Sequence, residues 1–178
     1  MAYFIVFSRS FFFMVLAAAA ILKMRDFRTF EQHLAGTLPR LVSGVPFAAQ
    51  GVIALESAGA LSMLLPAPAV RYGFALILAL CAGFAAYVVL LVREGAGASC
   101  GCMGESDVPA SPLHVLRNCA LVVIAGAATA GSWIAGPGMS EWAAHHVIAA
   151  APAMAAAAVV TFFDDLIALF TNSPKESH

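Results

Sequence analysis

The chain has 178 residues, of which 62% are hydrophobic and 11% are charged. Soluble domains carry about 25% charged residues, so this composition and a mean hydropathy of +0.90 exclude a soluble globular protein. The net charge of −1 gives no indication of nucleic-acid binding. We therefore expect an all-α integral membrane protein, a bundle of four to five transmembrane helices with a short interfacial helix between the first two.

Five apolar stretches predict a single multi-pass membrane domain over residues 1–178. The expected spans are about 3–24, 47–66, 72–92, 113–135 and 147–163. A helix needs about 20 apolar residues to cross the hydrocarbon core, and the last stretch is short, so four and five spans both remain open. The first stretch is longer than the apolar region of a signal peptide, so we expect it to be retained in the protein.

The connector between the first two spans, residues 25–46, mixes charged and apolar residues. Its apolar residues recur at three- and four-residue steps: Phe27, Phe30, Leu34, Leu38 and Leu41. This spacing indicates one face of an amphipathic helix. We expect that helix to lie in the membrane interface, with its aromatic side chains in lipid and its charged groups in water.

Glu56 lies near the middle of the second span, where a carboxylate is costly and requires a partner. Three basic residues are candidates for that partner, namely Arg9, Lys23 and Arg117. Arg9 lies near one end of its span, where snorkelling to the interface is the simpler expectation. Glu56 itself is either a functional group or a structural partner for a neighbouring cation.

The one polar, glycine-rich loop between apolar stretches carries two cysteines, Cys100 and Cys102, separated by Gly101. A disulfide between them would close a very small ring, and strained, exposed bridges are the labile or catalytic ones. The pattern therefore favours thiol–disulfide exchange. Free loop thiols and half of a metal site are the alternatives, but a structural zinc site normally needs four ligands, and only His114 lies nearby in the sequence.

Because spans alternate in direction, the connector and the cysteine loop lie on the same face of the membrane. Lys23 and Arg117 lie close to that face, and Glu56 is about 15 Å deeper by helical rise. Nearby cations favour the nucleophilic thiolate. We therefore expect the redox pair Cys100 and Cys102 to lie above supporting residues Lys23, Glu56 and Arg117.

Eight residues of this sequence form a combination that occurs in a known protein family. The set consists of Lys23, Glu56, Cys100, Gly101, Cys102, Gly104, Arg117 and Asn118. It resembles the MauE family of methylamine-utilisation membrane proteins, which is related to the wider DoxX-like group. The resemblance extends from the first span to the fourth, with Met103 where many broader relatives carry phenylalanine.

The resemblance implies a multi-pass protein of the bacterial inner membrane that helps to process, transport or mature the β-subunit of methylamine dehydrogenase. That subunit carries many disulfides and a tryptophan tryptophylquinone cofactor. The implied partners are the β-subunit and a thioredoxin-like protein of the MauD type. A membrane quinone is a candidate electron acceptor, although no residue pattern identifies its site, and we expect no metal.

Three functions remain open at this point. The first is a thiol–disulfide relay through Cys100 and Cys102. The second is a non-enzymatic assembly or transport subunit whose cysteine pair is structural. The third is a small-solute transporter that uses Glu56 as a proton or ion site; the sequence lacks the paired repeats of many transporters, so we rank it last.

Two arguments on orientation disagree. Lys23, Arg25, Arg28 and Arg40 predict that the connector is cytoplasmic by the positive-inside rule, and the cysteine loop would share that side. Disulfide chemistry on a periplasmic product requires the opposite. We adopt a periplasmic cysteine loop, which with five spans leaves the N-terminus in the cytoplasm and the C-terminus in the periplasm.

Overall fold

A computed structural model describes residues 2–37, 44–66, 69–94, 110–134 and 142–171, and these residues form an all-α membrane protein. The helices are α1 Ala2–Arg25, α2 Phe27–Thr37, α3 Val45–Ser62, α4 Val70–Glu94, α5 Pro112–Ile134, α6 Trp142–Thr161 and α7 Phe163–Thr171. The all-α fold class is thereby confirmed. Several predictions concern residues outside the described ranges: the cysteine pair, Leu38 and Leu41 of the connector helix, and Arg40.

Three of the described helices are long and apolar enough to cross a membrane by themselves: α1, α4 and α5. Helix α3 has 18 residues, and its apolar sequence is interrupted by Gln50 and Glu56. The apolar part of α6, Ile148–Thr161, is shorter than the three long helices. The number of spans therefore stays a prediction.

Contacts between helix ends show how the bundle is arranged. Near the start of α1, Arg9 donates hydrogen bonds to the carbonyl groups of Met63 and Leu65, just after α3 ends. The rings of Tyr72, at the start of α4, and Trp133, at the end of α5, are 5.9 Å apart. The long helices are therefore antiparallel, and these residues mark one end of the bundle. We call the other end, where α4 ends and α5 begins, the loop end.

Helix α1 forms the centre of the bundle and contacts α3, α5 and α6. Its buried face includes Phe12 and Leu16 and belongs to the main apolar core. Helix α6 contributes Ala153 and Ala157 to that core, and Ala149, four residues earlier, is also buried. Small side chains at this spacing let two helices approach closely, which is how membrane helices commonly pack.

The connector does form a helix, α2, but its apolar face is not where we expected it. Phe30 and Leu34 are buried in a second apolar cluster with Val45 and Ala49 of α3. They therefore contact protein rather than lipid. The first turns of α3 present an apolar surface that includes Val45 and Ala49. Packing on this surface removes the Phe30 ring from water without placing it in lipid.

Candidate functional site

The most buried charged contact in the described part of the chain joins Lys23 of α1 to Glu56 of α3. The Lys23 Nζ donates to the Glu56 Oε1 at 2.6 Å, and the exposed fractions of the two side chains are 0% and 1%. Such a pair is costly to remove from water and is stable only when the two charges satisfy each other. Of the three partners that the sequence left open for Glu56, the structure selects Lys23.

Helix geometry explains why these two side chains meet although Lys23 ends its helix and Glu56 is deep in α3. Side chains in a helix point back toward the N-terminus of that helix. Helices α1 and α3 are antiparallel, so Lys23 extends down into the bundle while Glu56 extends up toward the loop end. Each side chain therefore spans part of the distance, along the bundle axis, between the backbones of Lys23 and Glu56.

Two aromatic rings enclose the Lys23 ammonium group. Its Nζ is 5.5 Å from the ring centroid of Phe30 on α2 and 5.6 Å from that of Phe84 on α4. Both distances fall within the range of cation–π attraction. Four helices thus supply one group each to this contact: Lys23, Phe30, Glu56 and Phe84.

Only one of the two carboxylate oxygens of Glu56, Oε1, accepts a hydrogen bond from Lys23. Its Oε2 atom is buried, and no described residue donates a hydrogen bond to it. A buried acceptor without a donor costs about 1–3 kcal/mol. The carboxylate therefore retains the capacity to accept one more hydrogen bond or a proton at this atom.

A second set of polar contacts lies at the loop end, between α5 and α7. We call it the α5–α7 cluster; it consists of Ser111, His114, Arg117, Asn118, Phe163 and Asp164. The His114 Nε2 lies 2.9 Å from the Asp164 Oδ1, and the His114 side chain is completely buried. Asn118 donates to the His114 carbonyl at 2.8 Å, one helical turn earlier.

The hydrogen bonds around His114 define its tautomer. The backbone N–H of Ser111 donates to the His114 Nδ1 at 3.1 Å, and an amide N–H can only donate. Nδ1 must therefore carry the lone pair, which places the proton of the neutral ring on Nε2, where it donates to Asp164. The Ser111 hydroxyl lies 2.8 Å from the same Nδ1. Ser111 directly precedes α5, whose first residue is Pro112. Its carbonyl accepts hydrogen bonds from the backbone N–H groups of His114 and Val115, so Ser111 is the N-cap of the helix.

Arg117 belongs to this second set and not to the ion pair of Glu56. Its Nη1 donates to the Asp164 Oδ1 at 3.4 Å, and its guanidinium carbon lies 5.2 Å from the ring centroid of Phe163. Of the candidate partners that the sequence offers for Glu56, Arg117 is therefore excluded by these contacts. An acidic partner, Asp164, is available on α7 at the loop end, so the arginine does not have to extend toward the middle of the bundle.

Asp164 is the site residue that the sequence analysis did not identify. In the sequence, Asp164 and Asp165 directly follow the last expected span, 147–163, and no role was predicted for them. One signal was available: acidic residues in the first turn of a helix stabilise it, and α7 begins at Phe163. That signal explains a carboxylate at this position, but it does not reveal that His114 and Arg117, about 50 residues earlier, are its partners.

Arg9 also departs from expectation. Snorkelling was the simpler interpretation, but the side chain is buried and donates to the carbonyl groups of Met63 and Leu65, the latter at 2.6 Å. These carbonyls follow the end of α3, where backbone acceptors lack helical partners and the helix dipole is negative. Arg9 therefore stabilises the end of α3 and takes no part in the loop-end contacts.

The two cysteines of the predicted redox pair, Cys100 and Cys102, lie outside the described residues. The other two are described: Cys81 is buried in the main apolar core, and Cys119 is exposed on α5. Within the described ranges, no group of three or more potential metal ligands occurs. The roles of Lys23, Glu56 and Arg117 as supporting residues remain predictions.

Comparison with protein families gives one match. The family model described as "Methylamine utilisation protein MauE" matches residues 1–134, three quarters of the chain. Neither the curated proteins nor the solved structures yield a match. The matched range contains both residues of the buried ion pair and all the α5 residues of the α5–α7 cluster, but it ends before α7.

Proposed function

Because the chain belongs to the MauE family of methylamine utilisation proteins, we propose that it is a membrane factor for maturation of the methylamine dehydrogenase β-subunit, acting through thiol–disulfide exchange at Cys100 and Cys102. Family membership links the protein to methylamine utilisation and to the membrane. The exchange chemistry, the β-subunit and a thioredoxin-like partner of the MauD type belong to the proposal. So does its place in the bacterial inner membrane.

The observation that carries this proposal is the position of the buried polar side chains. In the described part of the chain, Lys23, His114, Arg117 and Asn118 are buried toward the loop end. Residues 95–109, which include the cysteine pair, connect the two helices that meet at that end. A bundle built only to span lipid gains nothing from burying such groups, because each is costly in hydrocarbon.

The proposed reaction conserves electrons at each step. A thiolate of the reduced partner attacks the Cys100–Cys102 disulfide, so that bond breaks, a mixed disulfide forms and one cysteine of this chain leaves as a thiolate. The partner's second thiolate then attacks the mixed disulfide and completes the partner's own disulfide. Cys100 and Cys102 are left reduced by two electrons, and a membrane quinone that becomes a quinol accepts those electrons and two protons.

One observation favours the alternative of a non-enzymatic assembly factor. Lys23 and Glu56 neutralise each other within a closed set of four helices, which is what a purely structural ion pair would do. In that case the cysteine pair would also be structural. The protein would then hold the β-subunit or its thioredoxin-like partner at the membrane without chemical change.

Substitution of the cysteines separates the two functions. We expect Cys100→Ser and Cys102→Ser each to abolish maturation of the β-subunit, and the double variant to be no worse, since two groups that act as one unit are not additive. One single variant should also trap a mixed disulfide by the reverse reaction: its remaining thiolate attacks the disulfide of the oxidised thioredoxin-like partner, and the pair has no second thiol to resolve the product. Cys81→Ala and Cys119→Ala serve as matched controls. A fully bridged β-subunit in cells that carry the double variant would refute the relay and leave the assembly factor.

A further inference from the structure

The end of the bundle opposite the loop end carries an arginine that contacts two aromatic rings. Arg71 lies in the first turn of α4, and its guanidinium carbon is 4.6 Å from the ring centroid of Trp133 on α5 and 5.1 Å from that of Tyr72. The two rings are 5.9 Å apart in an edge-to-face arrangement. Both distances from the guanidinium fall within the range of cation–π attraction. These three side chains therefore form one group, which we call the Arg71 cluster.

The Arg71 cluster lies at the ends of two helices that are long and apolar enough to cross the membrane. Its aromatic side chains are largely accessible, with exposed fractions of 60% for Tyr72 and 52% for Trp133. Tyrosine and tryptophan concentrate at the boundary between hydrocarbon and water, where an apolar ring and a polar tip are both accommodated. The cluster therefore holds the guanidinium of Arg71 at the level of the lipid headgroups.

The two rings stabilise the charge of Arg71 but leave most of its hydrogen-bonding capacity unused. The Arg71 Nη2 donates one long hydrogen bond, of 3.5 Å, to the Tyr72 hydroxyl. Its Nε is buried, and no described residue accepts a hydrogen bond from that atom. A guanidinium has five N–H donors arranged in a planar fork. Within the described ranges, the protein thus provides one weak acceptor for a group that matches two oxygens of a carboxylate or a phosphate.

No acidic side chain in the described part of the chain compensates the charge of Arg71. The acidic residues there lie at the loop end or, in the case of Glu56, pair with Lys23. They are Asp26, Glu31, Glu56, Glu94, Asp164 and Asp165. Arg9, which donates to backbone carbonyl groups near the same end as Arg71, adds a second positive charge. This end of the bundle therefore attracts an anion from outside the described structure.

The helix faces next to the Arg71 cluster are suited to an acyl chain. Ala75 and Ala79 follow Tyr72 at three- and four-residue steps, so they share its face of α4, and both are exposed. On α5, Ala130 precedes Trp133 by three residues and is also exposed. These small side chains leave a shallow apolar surface that runs from the headgroup level toward the middle of the membrane. A phospholipid presents its phosphate and its chains in the same order, whereas free phosphate would use only the cluster.

We propose that the Arg71 cluster binds the phosphate group of an anionic phospholipid. The Arg71 guanidinium donates to two phosphate oxygens, as arginine does in bidentate phosphate contacts. Trp133 and Tyr72 hold the guanidinium in place, and one acyl chain lies along the alanine surface. This site is at the opposite end of the bundle from the loop end. The proposal is therefore independent of the cysteine chemistry and of any role in β-subunit maturation.

The test measures which lipid lies next to Trp133 in vesicles of phosphatidylcholine that contain a minor fraction of phosphatidylglycerol. The full chain carries Trp142→Phe, so that Trp133 is the one tryptophan left of two. Bromine on acyl carbons near the headgroup quenches tryptophan fluorescence on contact. It is placed on the phosphatidylglycerol in one sample and on an equal amount of the phosphatidylcholine in the other. A mere movement of the Trp133 ring would change both quenching efficiencies together, whereas selective binding changes their ratio.

We expect binding beside Trp133 to favour phosphatidylglycerol about fivefold, which corresponds to the ~1 kcal/mol of one basic residue at an anionic surface. Arg71→Gln should abolish this preference. Arg71→Lys should retain only part of it, because lysine keeps the charge but lacks the planar fork. Arg93→Gln is the matched control and should keep the full preference. It removes the same charge from an exposed position in the last turn of the same helix, at the other end.

Equal quenching by the two lipids in the protein that retains Arg71 would overturn the proposal, and this result needs no Arg71 variant. A preference that survives Arg71→Gln, or that Arg93→Gln removes equally, would also overturn it. If Arg71→Gln does not fold, a full preference in Arg71→Lys has the same consequence. Inorganic phosphate added at constant ionic strength distinguishes the two sources of phosphate. A preference that persists supports the lipid, and one that disappears would assign the site to free phosphate and refute the lipid site.

Discussion

Replacement of Glu56 by leucine is expected to destabilise the protein strongly. The change removes the carboxylate that lies 2.6 Å from the Lys23 Nζ and leaves that ammonium fully buried. Removal of one partner of a buried ion pair typically costs about 3–5 kcal/mol. The rings of Phe30 and Phe84 remain near the ammonium and keep part of its stabilisation, so we place the loss at the lower end, about 3 kcal/mol.

Glu56→Gln should cost less than Glu56→Leu, because the amide oxygen still accepts a hydrogen bond from Lys23 although the charge is lost. The double variant Lys23→Met with Glu56→Leu should be more stable than the sum of the single changes predicts, since no uncompensated charge remains. We expect a coupling energy of at least about 1 kcal/mol. The measurement is the free energy of unfolding in detergent micelles by titration with sodium dodecyl sulfate.

Asp165→Leu, which removes an exposed carboxylate, is the control for the general loss of a negative charge. Strict additivity of the Lys23 and Glu56 substitutions would refute the reasoning, because independent groups cannot form the pair described. The same variants also bear on mechanism. If the double variant folds and still supports maturation of the β-subunit, the pair is structural; if it folds but is inactive, the charges serve the chemistry.

Gly73→Ala should destabilise the protein by about 1–3 kcal/mol, because an added Cβ would overlap the short Ser62 side chain and lie 2.8 Å from its Cβ. Gly83→Ala, on the same helix, adds a Cβ that meets open space and should be neutral or slightly stabilising. Equal shifts of the melting temperature in the two glycine variants would contradict this packing. Arg9→Leu should lower the free energy of unfolding by about 2 kcal/mol or more, because two charge-assisted hydrogen bonds are lost. Arg28→Ala, at an exposed position, should cost little. Similar melting temperatures for the two variants would contradict the role of Arg9. A reporter fused at residue 97 should give a periplasmic signal, and a cytoplasmic one would be evidence against the proposed orientation.

Properties that depend on neighbouring residues could be predicted from the sequence. The apolar stretches predict the positions of most of the helices, because the length and the hydropathy of a segment are enough to identify a membrane helix. The start of α5 at Pro112 follows from local capping preferences, and both Ser111 and Pro112 are where those preferences put them. The requirement of Glu56 for a basic partner also follows from its depth alone.

Choices between distant groups could not be predicted in the same way. Hydropathy does not tell whether Glu56 pairs with Lys23 or Arg117, because that depends on how the helices are rotated and on the direction of their side chains. Asp164 becomes the partner of His114 and Arg117 only because α7 turns back onto the start of α5. Likewise, the sequence pattern predicts that α2 is amphipathic with Phe30 on its apolar face. Only the packing of α2 on α3 determines that the Phe30 ring contacts protein and not lipid.

The redox state of Cys100 and Cys102 in intact cells tests the central claim most directly. Rapid alkylation would trap the free thiols, and a second, heavier reagent after reduction would label the cysteines that were in disulfides. The relay predicts that the pair shifts between disulfide and dithiol when the thioredoxin-like partner is present, depleted or restored. A pair that stays fully bridged or fully reduced under all three conditions would contradict thiol–disulfide exchange.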